Sequence, residues 1–332
     1  MQNQIRQNKA TREWVIYSPS RGNRPKDFKV GKQKADLPAH DLDCPFCKGN
    51  ENKLPKIIAE LSNPKSGDWQ TRVVPNKFPA LEEGVDNKRL EEGIYLKMGG
   101  YGIHEVIIEH SRHDLDIPDL SYEEVKLIIE TYHRRYLELM KDHYHLMPLI
   151  FRNHGSRAGT SLIHPHSQII VTNFVPKYIR EREEQAQRYF DEFGTCVFCD
   201  ILKYELEEKI RLIYETDHFV SIIPYAAEVP FEIKIIPKKH LAEFGNISEE
   251  EKEDFAVILR DTLKLLCDKL EDPDYNYVIN TAPRYKAGEP HLHWHLLIKP
   301  RLTTPAGFEI GSGISINPSL PEENAKYLRE EE

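Results

Sequence analysis

Apolar residues recur in this chain with two periods. Val125, Ile128, Ile129, Tyr132 and Tyr136 fall three or four residues apart, as do Phe255, Ile258, Leu259, Leu263 and Leu266, which places each set on one stripe of a helix. Both stripes are preceded by Ser-x-x-Glu, Ser121 to Glu124 and Ser248 to Glu251, the signature of a capping box that opens a helix. Short β-branched runs read instead as strands: Arg72-Val-Val-Pro, PLIFRN and HPHSQIIV in the first half, Phe219-Val-Ser-Ile-Ile, YVIN and HLHWHLLI in the second. Strands joined by hairpin-type turns, with a helix laid across one face, predict α+β units with largely antiparallel sheets.

The two halves repeat one another. HEVIIEHSRH ends at His113 and FEIKIIPKKH at His240, and 240 minus 113 gives 127. The same offset relates Ser121 to Ser248 and Asn153 to Asn280, and it sets His164-Pro-His166-Ser-Gln168 beside His291-Leu-His293-Trp-His295. One register held this long predicts two tandem copies of one unit, residues 1–175 and 196–332. The charged stretch Lys177 to Phe193 between them reads as a surface helix within a linker over 176–195.

Composition narrows the class without naming a reaction. With 332 residues, 39% hydrophobic and 30% charged, the chain has the mix of a water-exposed globular protein with a substantial core. No apolar run approaches a membrane span and the first residues carry no export signal, so a cytoplasmic location is expected. A net charge of −9 argues against a general nucleic-acid binder while leaving room for a local basic pocket.

Four of the five cysteines form the pairs Cys44-Pro-Phe-Cys47 and Cys196-Val-Phe-Cys199. In a reducing compartment such pairs serve redox chemistry or a metal, and downstream histidines in matched positions favour zinc. The repeat supplies His113 and His164 to the first pair and His240 and His291 to the second, predicting two Cys2His2 sites and two zinc ions per chain. Cys267, within the apolar LKLLCDKL, reads as a small buried hydrophobe.

Side chains alternate along a strand, so His164, His166 and Gln168 share a face. With His164 committed to metal, His166 is left as a free imidazole beside a rigid proline, suited to attack phosphorus. Upstream, Asn153, Gly155, Arg157, Gly159, Thr160 and Ser161 form a loop whose amides and hydroxyls can cradle phosphate oxygens, with Gln168 placed to donate as charge builds there. A three-histidine catalytic metal site competes with this reading, but Gln168 stands where the third histidine would be. A zinc-stabilised, non-catalytic nucleotide-binding protein is the other class these motifs allow.

These residues carry a family resemblance. HLHWHLLI looks like the signature of the histidine triad superfamily, and HPHSQ resembles the nucleophile motif of its nucleotidyltransferase branch. Most of the chain resembles the galactose-1-phosphate uridylyltransferase family: RGNRP, CPFC, VPNKFPAL, HDLDIPDLS, N-x-G-x-x-A-G-x-S-x-x-HPHSQ and GFE. The resemblance implies two fused histidine-triad-like units and ping-pong transfer of uridylyl from UDP-glucose to a hexose 1-phosphate through a nucleotidyl-histidine. It further implies His166 as nucleophile, Gln168 and Ser161 as phosphate contacts, and substrate contacts from Arg21, Arg24, Asn76, Lys77, Phe78, Asn153, Gly159, Phe308 and Glu309. A homodimer is implied too. Ser167 replaces a glycine common in the motif, and no glutamine follows GFE. In these respects the chain is also similar to plant ADP-glucose phosphorylase, which transfers adenylyl to phosphate.

Overall fold

The computed structural model describes residues 2–19, 25–29, 37–65 and 67–330. The chain opens with a hairpin, β1 (Gln4–Gln7) and β2 (Trp14–Tyr17). The first unit follows as β3 (Ala59–Ser62), β4 (Trp69–Pro75), an exposed hairpin of β5 (Arg89–Glu92) and β6 (Tyr95–Met98), β7 (Gly102–Ile108), helix α1 (Tyr122–Leu139), β8 (Met147–His154) and β9 (His166–Thr172). Helix α2 (Lys177–Phe193) then leads to the second unit: α3 (Val197–Glu208), β10 (Leu212–Glu215), β11 (Phe219–Ile222), β12 (Ile233–Pro237), α4 (Glu249–Leu270), β13 (Tyr275–Asn280) and β14 (His295–Pro300). The tail adds α5 (Gly307–Ser312), β15 (Ser315–Asn317) and α6 (Pro321–Arg329).

Five strands of each unit take the same order, β3-β4-β7-β9-β8 and β10-β11-β12-β14-β13, and β8 pairs with β13 to fuse them into one ten-stranded sheet. Every pairing within it is antiparallel. At the seam Phe151 faces Val278. These two positions differ by the repeat offset of 127, so an approximate two-fold axis passes between them.

One sheet face is apolar because alternate residues of the central strands are. Ile107, Ile169 and Val171 from the first unit, and Ile235, Leu296 and Ile298 from the second, pack with the stripes of α1 and α4 in a continuous core. Each such side chain contributes roughly 1.5–3 kcal/mol when fully buried. The opposite face is thereby freed to carry His166 and Gln168. Both helices start at the capping boxes read from sequence: Ser121 accepts from the Glu124 amide and Ser248 from the Glu251 amide, and each glutamate accepts in return from its serine's backbone N–H. Replacing Ser121 or Ser248 by alanine should lower stability by about 1 kcal/mol each, seen as a lower urea midpoint at unchanged slope.

The chain ends tie the units together. β15 runs parallel beside β2. Arg6 is paired with Glu322 at 2.8 Å, and the Tyr17 hydroxyl donates to the Ala227 carbonyl at 2.9 Å, so residues 4–17 pack on the second unit.

Candidate active site and metal centres

Cys44 and Cys47 project toward the start of β9, where they meet His113 and His164. Cys44 Sγ and Cys47 Sγ each lie 3.6 Å from His164 Nδ1, Cys47 Sγ lies 3.5 Å from His113 Nδ1, and the two Nδ1 atoms are 3.3 Å apart. A tetrahedron with bonds of about 2.0 Å to nitrogen and 2.3 Å to sulfur has edges of roughly 3.3–3.8 Å, which these separations match. The His164 Nε2–H donates to the His110 carbonyl at 2.8 Å, so the Nδ1 lone pair faces the cluster. All four side chains are buried.

The second group differs from expectation in one residue. Cys196, Cys199 and His240 gather with His293, not His291. His293 Nδ1 lies 3.6 Å from Cys199 Sγ, and its Nε2–H donates to the Pro237 carbonyl at 2.9 Å, repeating the His164 arrangement. His291 is not in the cluster: its Nδ1 lies 3.7 Å from a Glu289 carboxylate oxygen, its ring nitrogens make no hydrogen bond, and its backbone carbonyl lies 3.7 Å from Cys196 Sγ. Loop length explains the shift: 164 minus 153 gives 11 residues from Asn153 to His164, whereas 293 minus 280 gives 13 from Asn280 to His293. Past Asn280 the offset therefore becomes 129, and the counterpart of His166 is His295, with Leu297 in place of Gln168. Ring packing repeats accordingly: Phe46 contacts His164 and His166, and Phe198 contacts His293 and His295. Each of the two groups can hold a tetrahedral metal ion.

His166 opens β9 and is 8% exposed. Its Nδ1 lies 2.8 Å from the His164 carbonyl, and only an N–H can bond a carbonyl, so Nδ1 carries the proton and Nε2 keeps its lone pair. Burial holds this imidazole below the ordinary histidine value. His164 thus faces the metal cluster with its ring and orients His166 with its backbone.

Beside His166 lies a cavity of about 690 Å3, lined by Arg152, Asn153, Gly155, Thr160, Ser161 and His164 among others. That volume suits a nucleotide-sized ligand. The loop above it turns at Gly155 (φ 83°) and Gly159 (φ 88°). A Cβ on Gly155 would come within 2.1 Å of Asp274, whose carboxylate accepts from the Arg157 amide at 2.6 Å. The second unit also supplies Asn276, which donates to Asn153 Oδ1 at 2.7 Å and to the Ala158 carbonyl at 2.8 Å. Gln168 sits one pleat further along β9. His104 accepts from the Ala80 amide at Nδ1 (3.0 Å) and donates from Nε2 to Gln168 Oε1 (2.8 Å), which turns the Gln168 amide N–H groups outward.

Of the expected substrate contacts, Asn153, Ser161 and, through its loop, Gly159 gather at the cavity, and Asn76 comes to 3.5 Å from Gln168. Lys77 and Phe78 are exposed outside the cavity. Phe308 and Glu309 lie on α5, away from it, Phe308 being 52% exposed while the Glu309 carboxylate accepts from the Ala306 and Ile316 amides. Arg21 and Arg24 lie outside the described residues.

Sequence reasoning missed an ionic chain that lines the cavity and runs inward to buried Glu109. Arg152 pairs with Glu109 at 2.9 Å and with Asp116 at 2.6 Å; His154 then bridges Asp116 at 2.8 Å and Asp272 at 3.0 Å. Glu109 also accepts from Ser167 and Tyr132, so the residue after His166 is anchored through the sheet. The one signal in sequence was a charged residue directly after the apolar run PLIF on the same strand. Burial alone would raise Asp116, but the Arg152 and His154 cations outweigh it and hold the carboxyl well below its usual range. Burial alone would depress His154, yet Asp116 and Asp272 push it up to about 9. A raised histidine stabilises the fold fully below its unfolded value near 6.5, and the contribution vanishes as pH passes 9. Stability should fall by roughly 3 kcal/mol between pH 6.5 and 9 through this group. In His154→Gln, urea midpoints at pH 6.5 and 9 should lie correspondingly closer together than in the wild type.

The match to the Galactose-1-phosphate uridyl transferase N-terminal domain model covers residues 1–176, and that to the C-terminal domain model covers 181–314. The chain is 35% identical to an ADP-glucose phosphorylase of Arabidopsis thaliana over 332 residues, covering 98% of this chain and 92% of that protein. It is 30% identical to a galactose-1-phosphate uridylyltransferase of Thermotoga maritima, covering 99% and 98%. Among solved structures, the crystal structure of the A. thaliana ADP-glucose phosphorylase with bound ADP-glucose superposes with a TM-score of 0.85 at 33% identity over all of both chains. A uridylyltransferase structure gives 0.74 at 26% identity over 98% and 97%. With both halves matched in order, this chain belongs to the galactose-1-phosphate uridyl transferase family of enzymes.

Proposed function

We propose that His166 Nε2 attacks the α-phosphorus of a nucleotide sugar, forming an N–P bond as the bond from phosphorus to the bridging oxygen breaks and hexose 1-phosphate leaves. The observation that carries this reading is the Nδ1–H to His164 carbonyl bond at 2.8 Å. It presents a neutral lone pair to the cavity, and it strengthens as the ring becomes cationic on phosphorylation, stabilising the developing charge. The leaving hexose 1-phosphate departs as an anion and needs no proton. In the second half an acceptor phosphate oxygen attacks the nucleotidyl-histidine, the N–P bond breaks, and His166 returns with its Nδ1 proton in place.

Asn153, Ser161 and the Gly155–Gly159 loop take the roles of phosphate contacts, and the outward amide of Gln168 donates to a non-bridging oxygen. Both Cys2His2 groups hold zinc, with a structural role: the ion supplies rigidity to the strand starts, and the chain's own groups do the chemistry. Phe308 and Glu309, remote from the cavity of their own chain, reach substrate from the second copy in a homodimer.

The relative at 35% identity with a TM-score of 0.85 favours adenylyl transfer from ADP-glucose to phosphate. The family-model match over both halves favours the second reading, uridylyl transfer from UDP-glucose to galactose 1-phosphate. Incubation with either donor labelled at the α-phosphate decides between them: the true donor labels the protein faster, and failure of both to leave an acid-labile, base-stable adduct removes the proposal.

A further inference from the structure

In the second unit, the sheet face corresponding to that of His166 carries a separate small cavity of about 90 Å3, roofed by α2. It has room for about three waters at ~30 Å3 each. The cavity is lined by Lys234, His295 and Asn280, which stand on the neighbouring strands β12, β14 and β13, and by Arg182 from α2.

Glu183, Thr11 and Thr281 offer acceptors in its lining, yet three of its donors are left without one. Lys234 is 9% exposed and, among the described residues, has no hydrogen bond or ion pair; its ammonium lies 5.5 Å from the Phe198 ring. Asn280 Nδ2 and Arg182 Nε are buried and likewise without partners. The carboxylates around it are engaged elsewhere: Glu183 with Lys286 at 3.1 Å, Glu228 with Lys299 at 2.5 Å and Arg182 at 3.7 Å, Glu13 with Arg182 at 3.3 Å, and buried Glu232, whose charge also acts on Lys234, with Lys299 at 4.0 Å. Buried donors left unpaired are costly, and those without a protein acceptor call for one from outside the chain. The repeat shows that the arrangement is particular to this unit. Leu297 replaces the donor Gln168, while Lys234 enters opposite it on β12, where the first unit has Val106 opposite Gln168.

We propose that this cavity is a second ligand site, for a free tetrahedral oxyanion of the phosphate class. Lys234, Asn280 and Arg182 donate to its oxygens. His295, whose Nδ1–H donates to the His293 carbonyl at 3.2 Å, offers Nε2 as acceptor for the ion's remaining hydroxyl. The site is independent of the nucleotidyl-transfer reading, since no reaction occurs there.

The test is equilibrium binding of radiolabelled orthophosphate to the full-length, metal-loaded protein. Lys234→Met should bind one fewer phosphate per chain than the wild type, or bind that phosphate at least tenfold more weakly, and Asn280→Leu should show the same loss through a different strand. Both variants should still acquire the nucleotidyl adduct at His166, which separates this site from the reactive one. Equal number and affinity in the wild type and in the folded variants would overturn the proposal. So would displacement of the Lys234-dependent phosphate by glucose 1-phosphate, which would show a ligand larger than the free ion.

Discussion

His166→Ala should lose turnover by roughly 10⁴-fold or more while still binding the nucleotide sugar. In the proposed mechanism removal of His166 leaves no alternative route: among the described residues the other imidazoles lining the cavity are His113, His154 and His164, of which two face the metal cluster and one is locked between Asp116 and Asp272. Binding survives because the phosphate-side loop is held by Asp274 and Asn276 from the second unit, through bonds that do not involve the His166 side chain. The readout is therefore a split: donor affinity close to wild type by calorimetry, with no covalent label and no exchange of hexose 1-phosphate. A label that persists in His166→Ala would move the nucleophile elsewhere and end the mechanism given above.

The second large effect concerns the metals. Elemental analysis should find two zinc ions per chain. Cys44→Ser should lose one and with it most of the activity, since metal binding in such groups is worth on the order of 10 kcal/mol and the loss frees His164, whose carbonyl orients His166. His293→Ala should also lose one zinc, whereas His291→Ala should keep both. This pair of variants tests the ligand assignment directly: a zinc lost from His291→Ala, with His293→Ala retaining two, would restore the fixed 127-residue offset.

That offset shows how far the sequence could be read. Strand and helix lengths are constrained by the sheet and core they must fill, so the repeat kept its register from His113 and His240 through the capping boxes to Asn153 and Asn280. Loops carry no such constraint. The second unit's longer connection after Asn280 moved the register by two residues, which keeps a strand's face and so left no break in the alternation. His291 and His293 were equally good donors by pattern, and only three dimensions separate them. The Arg152 chain was hidden for another reason: Glu109 and Asp116 lie about forty residues before Arg152 and His154, and Asp272 joins them only when β13 closes against β8. Phe308 and Glu309 mark a different limit, since residues assigned by family pattern need not serve the cavity of their own chain.

The seam at Phe151 and Val278 has one more consequence. In a symmetric dimer of identical units every substitution is made twice, so both sites must change together. Here the two units lie on one polypeptide, and each can vary alone. That freedom allows one copy to keep a reactive imidazole with its glutamine while the other exchanges the glutamine for leucine and takes a lysine on the next strand. The fold retains the geometry of a pair, but its inheritance is that of a single chain, and division of labour follows.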